Sequence, residues 1–63
     1  MKHIAKGHDG ANIIYCDITD LNEFVTSDGS NTVCYRYEDD NGDWVQAMAP
    51  KWAINWESIE RAD

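Results

Sequence analysis

Basic residues are scarce in this chain of 63 residues. Five Lys and Arg stand against twelve Asp and Glu, which gives a formal net charge of −7 at pH 7. Phosphate groups repel such a surface, so we expect no direct binding to nucleic acid and none to an anionic membrane. The acidic surplus fits a larger partner protein with a basic surface, although surplus charge also keeps a small protein soluble without any partner.

Long apolar runs and paired cysteines are also missing. The opening "MKHIAKGHDG" turns polar within five residues, so we expect neither a secretory signal nor a membrane span, and a cytoplasmic location. Cys16 and Cys34 are too few for a disulfide scaffold and lack the CxxC spacing of zinc sites, so we expect reduced thiols. A bridge between them, if their strands were neighbours, would contribute about 3 kcal/mol.

Motifs for catalysis and metal binding are absent as well. An EF-hand loop beginning at Asp39 would place Trp44 where glycine is required and Pro50 where the bidentate glutamate is required. His3 and His8 have no second pair of ligands for a closed zinc site. No nucleophile elbow or glycine-rich phosphate loop organises the serines and cysteines. We therefore expect a protein that is not an enzyme and that needs no metal or cofactor.

Large aromatic side chains are what the sequence does supply. Three Trp, three Tyr and one Phe concentrate apolar area in few residues. A chain this short buries only about 60% of the surface of its unfolded state, so its stability is marginal and a dense core is needed. We expect one compact domain over residues 1–63.

Three turn signals divide the chain: "GHDG", "SDGSN" and "DDNGD", each with a glycine beside Asp or Asn. The segment "ANIIYCDI" between the first two has apolar residues on both alternating faces, as a central strand does. In "TDLNEFVT", Asp20 and Glu23 have the spacing of a capping box, which favours one or two helical turns. A strand over residues 23–26 is the alternative.

The segment around Asn41 and Gly42 is the strongest hairpin signal, because a two-residue type I′ turn needs positive φ at both central positions. A hairpin over about 32–49 would then pair Asp40 with Asp43 and Tyr35 with Met48, with a small cost for the two opposed acids. This register puts Val33, Tyr35, Tyr37, Trp44 and Met48 on one face and Cys34, Arg36, Glu38, Val45, Ala47 and Ala49 on the other.

The tail "KWAINWESIERAD" fits two structures. Trp52, Ile54 and Trp56 alternate as in a strand, whereas Trp52, Trp56 and Ile59 share one helical stripe. The second pattern, with Pro50 suited to a first helical turn, predicts a C-terminal helix across the sheet. The predicted fold is therefore α+β, a short antiparallel sheet of three to five strands with that helix. The alternative is an all-β meander.

Aromatic residues and acids together suggest the function. Trp, Tyr and Arg are enriched at binding hot spots, and a ring of acids would steer a basic partner. The predicted partner-binding residues are Glu38, Asp39, Asp40, Asp43, Trp44, Tyr37 and Trp52. We expect a small acidic protein-binding module, an inhibitor that occupies a basic surface of a larger partner, for example a surface that binds nucleic acid.

In size and charge the chain resembles the accessory proteins that phages use against host or CRISPR machinery, which would place it in the host cytoplasm. This resemblance rests on size and charge, not on a motif. One alternative is a structural homo-oligomer, such as a homodimer, with a self-complementary aromatic face. A metal or small-ligand binder is the other.

Overall fold

The computed structural model describes residues 2–62, which form one five-stranded antiparallel sheet and one short helix. The elements in chain order are β1 (His3–Asp9), β2 (Asn12–Ile18), α1 (Leu21–Thr26), β3 (Thr32–Glu38), β4 (Trp44–Pro50), a 3₁₀ turn (Lys51–Ala53) and β5 (Asn55–Arg61). The strand order is β4-β3-β2-β1-β5, so the predicted central strand, β2, is the middle strand.

Consecutive strands pair from β1 to β4, and β5 returns to the free side of β1. β1 and β2 pair over their whole length, as do β3 and β4. Between β2 and β3 the paired residues are Ile14 with Tyr37 and Tyr15 with Arg36. This short β2–β3 junction joins two long hairpins, and α1 lies in the connection between them.

The pairing of β5 with β1 includes an irregularity at Gly7. Lys6 lies opposite Ser58 and Gly7 opposite Trp56, so Glu57 is skipped in the ladder. A Cβ atom at Gly7 would lie 2.6 Å from the Asn55 carbonyl oxygen. Glycine is therefore required here because the two backbones approach too closely for any side chain.

One face of the sheet, here called the inner face, carries the core. Its buried residues are Ala5, Ile14, Cys16, Ile18, Tyr35 and Ile54. Leu21 and Phe24 of α1 pack against them, and the Phe24 ring meets the Trp56 ring edge-on at 5.3 Å between centroids. The Trp56 indole N–H in turn donates to the Lys51 carbonyl at 2.9 Å. One short helix and the connection before β5 thus cover the inner face.

The helix predicted after β2 is confirmed. Asp20 is its N-cap, and its carboxylate accepts a hydrogen bond from the Glu23 N–H at 3.1 Å. The six-residue helix buries no residue completely, so its stability comes from packing Leu21 and Phe24 on the sheet.

The predicted hairpin is present, but its predicted register is wrong by one residue. No described non-glycine residue has positive φ, so Asn41 cannot serve in a type I′ turn, whereas Gly42 has φ of 83°. Gly42 N–H donates to the Asp39 carbonyl at 3.0 Å, and Asp39 N–H to the Asp43 carbonyl at 2.8 Å. These bonds define a three-residue loop with a glycine bulge. Asp43 therefore lies opposite Asp39 instead of Asp40.

The shifted register moves side chains to the opposite face. Tyr35 pairs with Ala47 and Cys34 with Met48. Since directly opposed residues share a face, Val45, Ala47 and Ala49 join the tyrosines of β3 on the inner face, while Trp44 and Met48 lie on the other. The predicted aromatic face of Tyr35, Tyr37, Trp44 and Met48 is thus divided between the two sides.

The predicted α+β class with a C-terminal helix is wrong. Residues 55–61 form β5, and about 15% of the protein is helical, so the domain is essentially all-β. The residues of the predicted helical stripe do not share a buried face: Trp56 packs against the core, whereas Trp52 is 72% exposed and Ile59 43% exposed. As a strand, the segment satisfies the backbone of β1, which would otherwise be an open edge.

Candidate protein-binding surface

The face of the sheet opposite the core, here called the outer face, is uncovered. By the strand registers it carries Ile4, Lys6, His8, Ile13, Tyr15, Asp17, Thr32, Cys34, Arg36, Glu38, Trp44, Gln46, Met48 and Pro50, and from β5 Asn55, Ser58 and Glu60. Because α1 packs on the inner face, no element within residues 2–62 lies over this one. Ile13 is 46% exposed, Trp44 58% and Met48 70%, so three large apolar side chains of this face are accessible to a partner.

Tyr15 is the centre of the outer face. Its ring centroid lies 6.0 Å from that of Trp44, and the two planes are inclined by 59°. Lys6 Nζ and Arg36 Cζ, on the two strands flanking β2, each lie 5.9 Å from the Tyr15 centroid. Tyr15 is therefore held between two cations, an arrangement worth about 0.5–1 kcal/mol per contact at an exposed site.

An ion pair fixes the cation on β3. Arg36 Nη1 lies 2.7 Å from Asp17 Oδ2, and the arginine side chain is about one third exposed. An open depression of about 490 Å³ lies beside this pair, bordered among others by Tyr15, Gln46 and Met48. The outer face thus offers aromatic, sulfur and guanidinium groups side by side, a set that is enriched at the centres of protein interfaces.

Acids border the outer face at the end where β3 turns into β4. A second depression, of about 390 Å³, is bordered by Ile13, Tyr15, Trp44, Glu38 and Asp40, together with Ala11 and Asn12. Glu38 lies directly opposite Trp44 in the β3–β4 ladder. Apolar rings with carboxylates at their margin form the core and rim pattern of a binding surface.

Asp39 has a different role from its acidic neighbours. Its Oδ1 accepts hydrogen bonds from the Asn41 N–H and the Asp43 N–H, both at 2.9 Å. This carboxylate therefore holds the turn together, whereas Asp40 and Asp43 are exposed. Of the turn acids, Asp40 and Asp43 are available to a partner without a cost to the backbone.

The predicted binding residues are brought together only in part. Glu38, Asp40, Asp43 and Trp44 lie at one end of the hairpin. Tyr37 lies on the inner face, half-buried against the core, with its ring 6.3 Å from Tyr35. Trp52 is in the 3₁₀ turn after β4, at the opposite end of that strand from Trp44.

Tyr15, Met48 and Ile13 are not among the predicted binding residues. Alternation along "ANIIYCDI" does separate Ile13, Tyr15 and Asp17 from the buried set. That pattern would have identified Tyr15 only if the absence of a second covering layer had been known.

The two thiols lie on opposite faces of the sheet, and the buried phenol of Tyr35 lies on the inner one. Burial raises the pKa of the Cys16 thiol, which is on the inner face, and Cys34 is exposed on the outer one; both are free. Tyr35 donates a hydrogen bond to Asp9 Oδ2 at 2.9 Å, and burial followed by this carboxylate raises the pKa of its phenol. Among residues 2–62 no three His, Cys, Asp or Glu residues are grouped as ligands for a metal ion.

Comparison with known proteins adds no relationship to this geometry. In the part of the chain that is described, neither helical segment has the length and apolar character needed to cross a bilayer. No family model matches the chain, and no curated protein and no solved structure matches it either.

Proposed function

We propose that this chain is a small acidic protein-binding module whose outer sheet face binds a basic surface of a larger protein. The observation that carries the proposal is the uncovered Tyr15–Trp44 pair with Glu38 and Asp40 at its margin. Exposed aromatic groups supply the area that becomes buried on binding, and the acids select a partner of opposite charge.

The net charge supports a basic partner independently of the site. At −7 the whole molecule attracts a cationic surface from a distance, and the attraction is screened beyond about 8 Å at physiological salt. Lys6 and Arg36 are the basic groups nearest Tyr15, and Arg36 is already paired with Asp17. The basic side chains of a partner would therefore meet the acids at the turn end of the face.

Inhibition is the activity that follows from such binding. A partner that uses a basic surface to hold nucleic acid would lose that surface when this module occupies it, because both ligands compete for the same cations. We propose the cytoplasm as the site of action, which the two free thiols favour. Host or CRISPR nucleoproteins of a phage-infected cell are the proposed class of target.

The test is to capture partners from native host lysate on the wild-type chain and then to measure the affinity of each purified partner for variants. Trp44→Ala should weaken binding at least about 30-fold, the loss of a hot-spot side chain. Trp52→Ala is the matched control, since this tryptophan is also exposed but lies at the other end of β4. Equal losses in both variants, or no loss in Trp44→Ala, would refute the outer face as the site.

The charge component is tested separately. Asp40→Asn should slow association and flatten its salt dependence, whereas Glu23→Gln removes one charge from α1 and should change both much less. Binding by the wild type that is unchanged between low and high salt would contradict the proposed electrostatic attraction.

A further inference from the structure

The two edges of the sheet differ in their protection. β4 and β5 are the edge strands. β5 carries Glu57, Glu60 and Arg61, the kind of charged side chains that discourage pairing with another chain. β4, with the sequence "WVQAMAP", has no ionisable side chain in its seven residues. The unprotected edge is thus β4.

The free backbone groups of β4 follow from the hydrogen bonds at the two ends of its hairpin. Asp39 N–H donates to the Asp43 carbonyl, and Lys51 N–H donates to the Asn31 carbonyl, each at 2.8 Å. Bonded and non-bonded pairs alternate along an antiparallel ladder. Val45, Ala47 and Ala49 therefore bond to β3, and Trp44, Gln46 and Met48 direct their N–H and C=O groups outward. Pro50, which has no N–H to leave unpaired, falls in the outward set.

We propose that a second copy of this chain pairs with β4 in antiparallel orientation, with Gln46 opposite Gln46 of the second copy. This two-fold register places Trp44 opposite Met48 of the second copy, and Met48 opposite Trp44 of the second copy. Each of these pairs is in the bonded position, so each exchanges both of its N–H···O=C hydrogen bonds. All three side chains share the outer face, where the Trp44 ring meets a methionine sulfur, a favourable contact.

The uncharged sequence of β4 suits a second, equally uncharged strand as the occupant of this edge, and the net charge of −7 on each copy, which opposes dimerisation, is weakened by salt. A basic strand would find no carboxylate on β4 itself, whereas an identical neutral strand meets no like charge. Antiparallel pairing also puts the two acidic turns at opposite ends of the shared edge. A seven-residue strand spans roughly 20 Å, which exceeds the screening length of about 8 Å at physiological salt. Parallel pairing would set the turns side by side.

The resulting dimer has one continuous sheet of ten strands. Its two outer faces lie on the same side of that sheet, so each dimer presents two Tyr15–Trp44 pairs. This self-association goes beyond the proposed function and stands without it, because it rests on the backbone of β4 and not on partner binding.

Sedimentation velocity over low to high micromolar concentration tests the dimer. The wild type should pass from the monomer mass of 7.2 kDa to twice that value. Gln46→Pro should stay monomeric with an unchanged circular dichroism spectrum, because the proline removes an outward N–H and leaves the bonds to β3 intact. If Gln46→Pro does not fold, Gln46→Lys serves instead, since it opposes two ammonium groups in the two-fold register. Val25→Lys, which adds the same charge at an exposed position of α1, should dimerise as the wild type does.

Amide hydrogen exchange identifies the edge directly. The amides of Trp44, Gln46 and Met48 should gain protection at least about tenfold as the concentration rises, while those of Val45 and Ala47 are protected throughout. A strictly monomeric wild type at high micromolar concentration would overturn the proposal. So would a dimer that persists in Gln46→Lys, or protection of these three amides only when another protein is bound. Because Trp44 lies in both proposed surfaces, the partner affinity of Trp44→Ala is measured at concentrations at which the wild type is monomeric, so that the two proposals can fail separately.

Discussion

Gly7 is the position at which one added methyl group should destabilise the protein most severely. A Cβ atom there would meet the Asn55 carbonyl oxygen at 2.6 Å, and Ile54 Cγ2 and Trp56 Cα at 3.1 Å each. Two of these three atoms are backbone of the segment that pairs with β1, so they cannot move aside without breaking the ladder. We therefore expect Gly7→Ala to lower the free energy of unfolding by about 2–3 kcal/mol, in the upper part of the range for over-packing.

A loss of that size is large for this chain. Domains have roughly 0.05–0.15 kcal/mol of stability per residue, which is about 3–9 kcal/mol for a domain of this length. The melting temperature should fall by about 10–20 °C. Urea unfolding followed by tryptophan fluorescence gives the midpoint urea concentration and the slope m, and from these the free energy of unfolding.

Gly29→Ala is the matched control for Gly7→Ala. Its Cβ would lie 3.6 Å from Trp52 Cβ, an ordinary contact, and Gly29 does not have positive φ. We expect this variant to be as stable as the wild type or more stable by about 0.4–1 kcal/mol, because alanine restricts the unfolded chain. If Gly7→Ala unfolds within about 0.5 kcal/mol of Gly29→Ala, then β5 does not approach β1 as described.

Three further predictions concern single side chains. Asp39→Ala should cost about 1–2 kcal/mol in urea unfolding, because two turn N–H groups lose their acceptor, whereas Asp40→Ala should cost less than about 0.5 kcal/mol. Burial raises the pKa of Tyr35 above its ordinary value of 10.0. The stability that this raised pKa contributes is therefore complete below pH 10 and is lost as the pH rises through the pKa of Tyr35 in the folded state. Unfolding curves from pH 8 to 11 should show that loss in the wild type, and Tyr35→Phe should show less of it. Ellman's reagent should modify Cys34 within minutes in the native protein and Cys16 only on unfolding; equal rates would contradict the burial of Cys16.

Local chemistry predicted the turns at "SDGSN" and "DDNGD", the central strand, the short helix and the presence of the hairpin. The turn predicted at "GHDG" begins too early, because the first three of these residues belong to β1 and the turn lies at residues 10–11. It did not predict the hairpin register, because Asn41-Gly42 is compatible with both a two-residue turn and a three-residue loop with a bulge. The difference is one residue, and it moves Trp44 and Met48 to the outer face. The helix predicted for the C-terminal segment was wrong for a different reason. Its apolar pattern fits a helix and a strand equally, and the choice depends on the open edge of β1, which is distant in sequence.

The candidate surface, too, was predictable from the sequence only in part. Trp44 and the turn acids are recognisable from composition and turn chemistry alone. Tyr15 is not, because its exposure depends on which face of the sheet α1 covers. An uncovered sheet face is a property of the whole fold, and a single sequence does not reveal it.

The pairing of β5 with β1, the two ends of the chain, has a consequence for how the protein folds. Each long hairpin joins strands that are close in sequence and should form early, whereas β5 meets β1 only after nearly the whole chain has been ordered, since His3 pairs with Arg61. Until then β1 is an exposed edge, and intermediates with open strand edges aggregate. Refolding should therefore be slowest at the docking of β5, and a chain shortened before Asn55 should precipitate at concentrations at which the intact protein refolds.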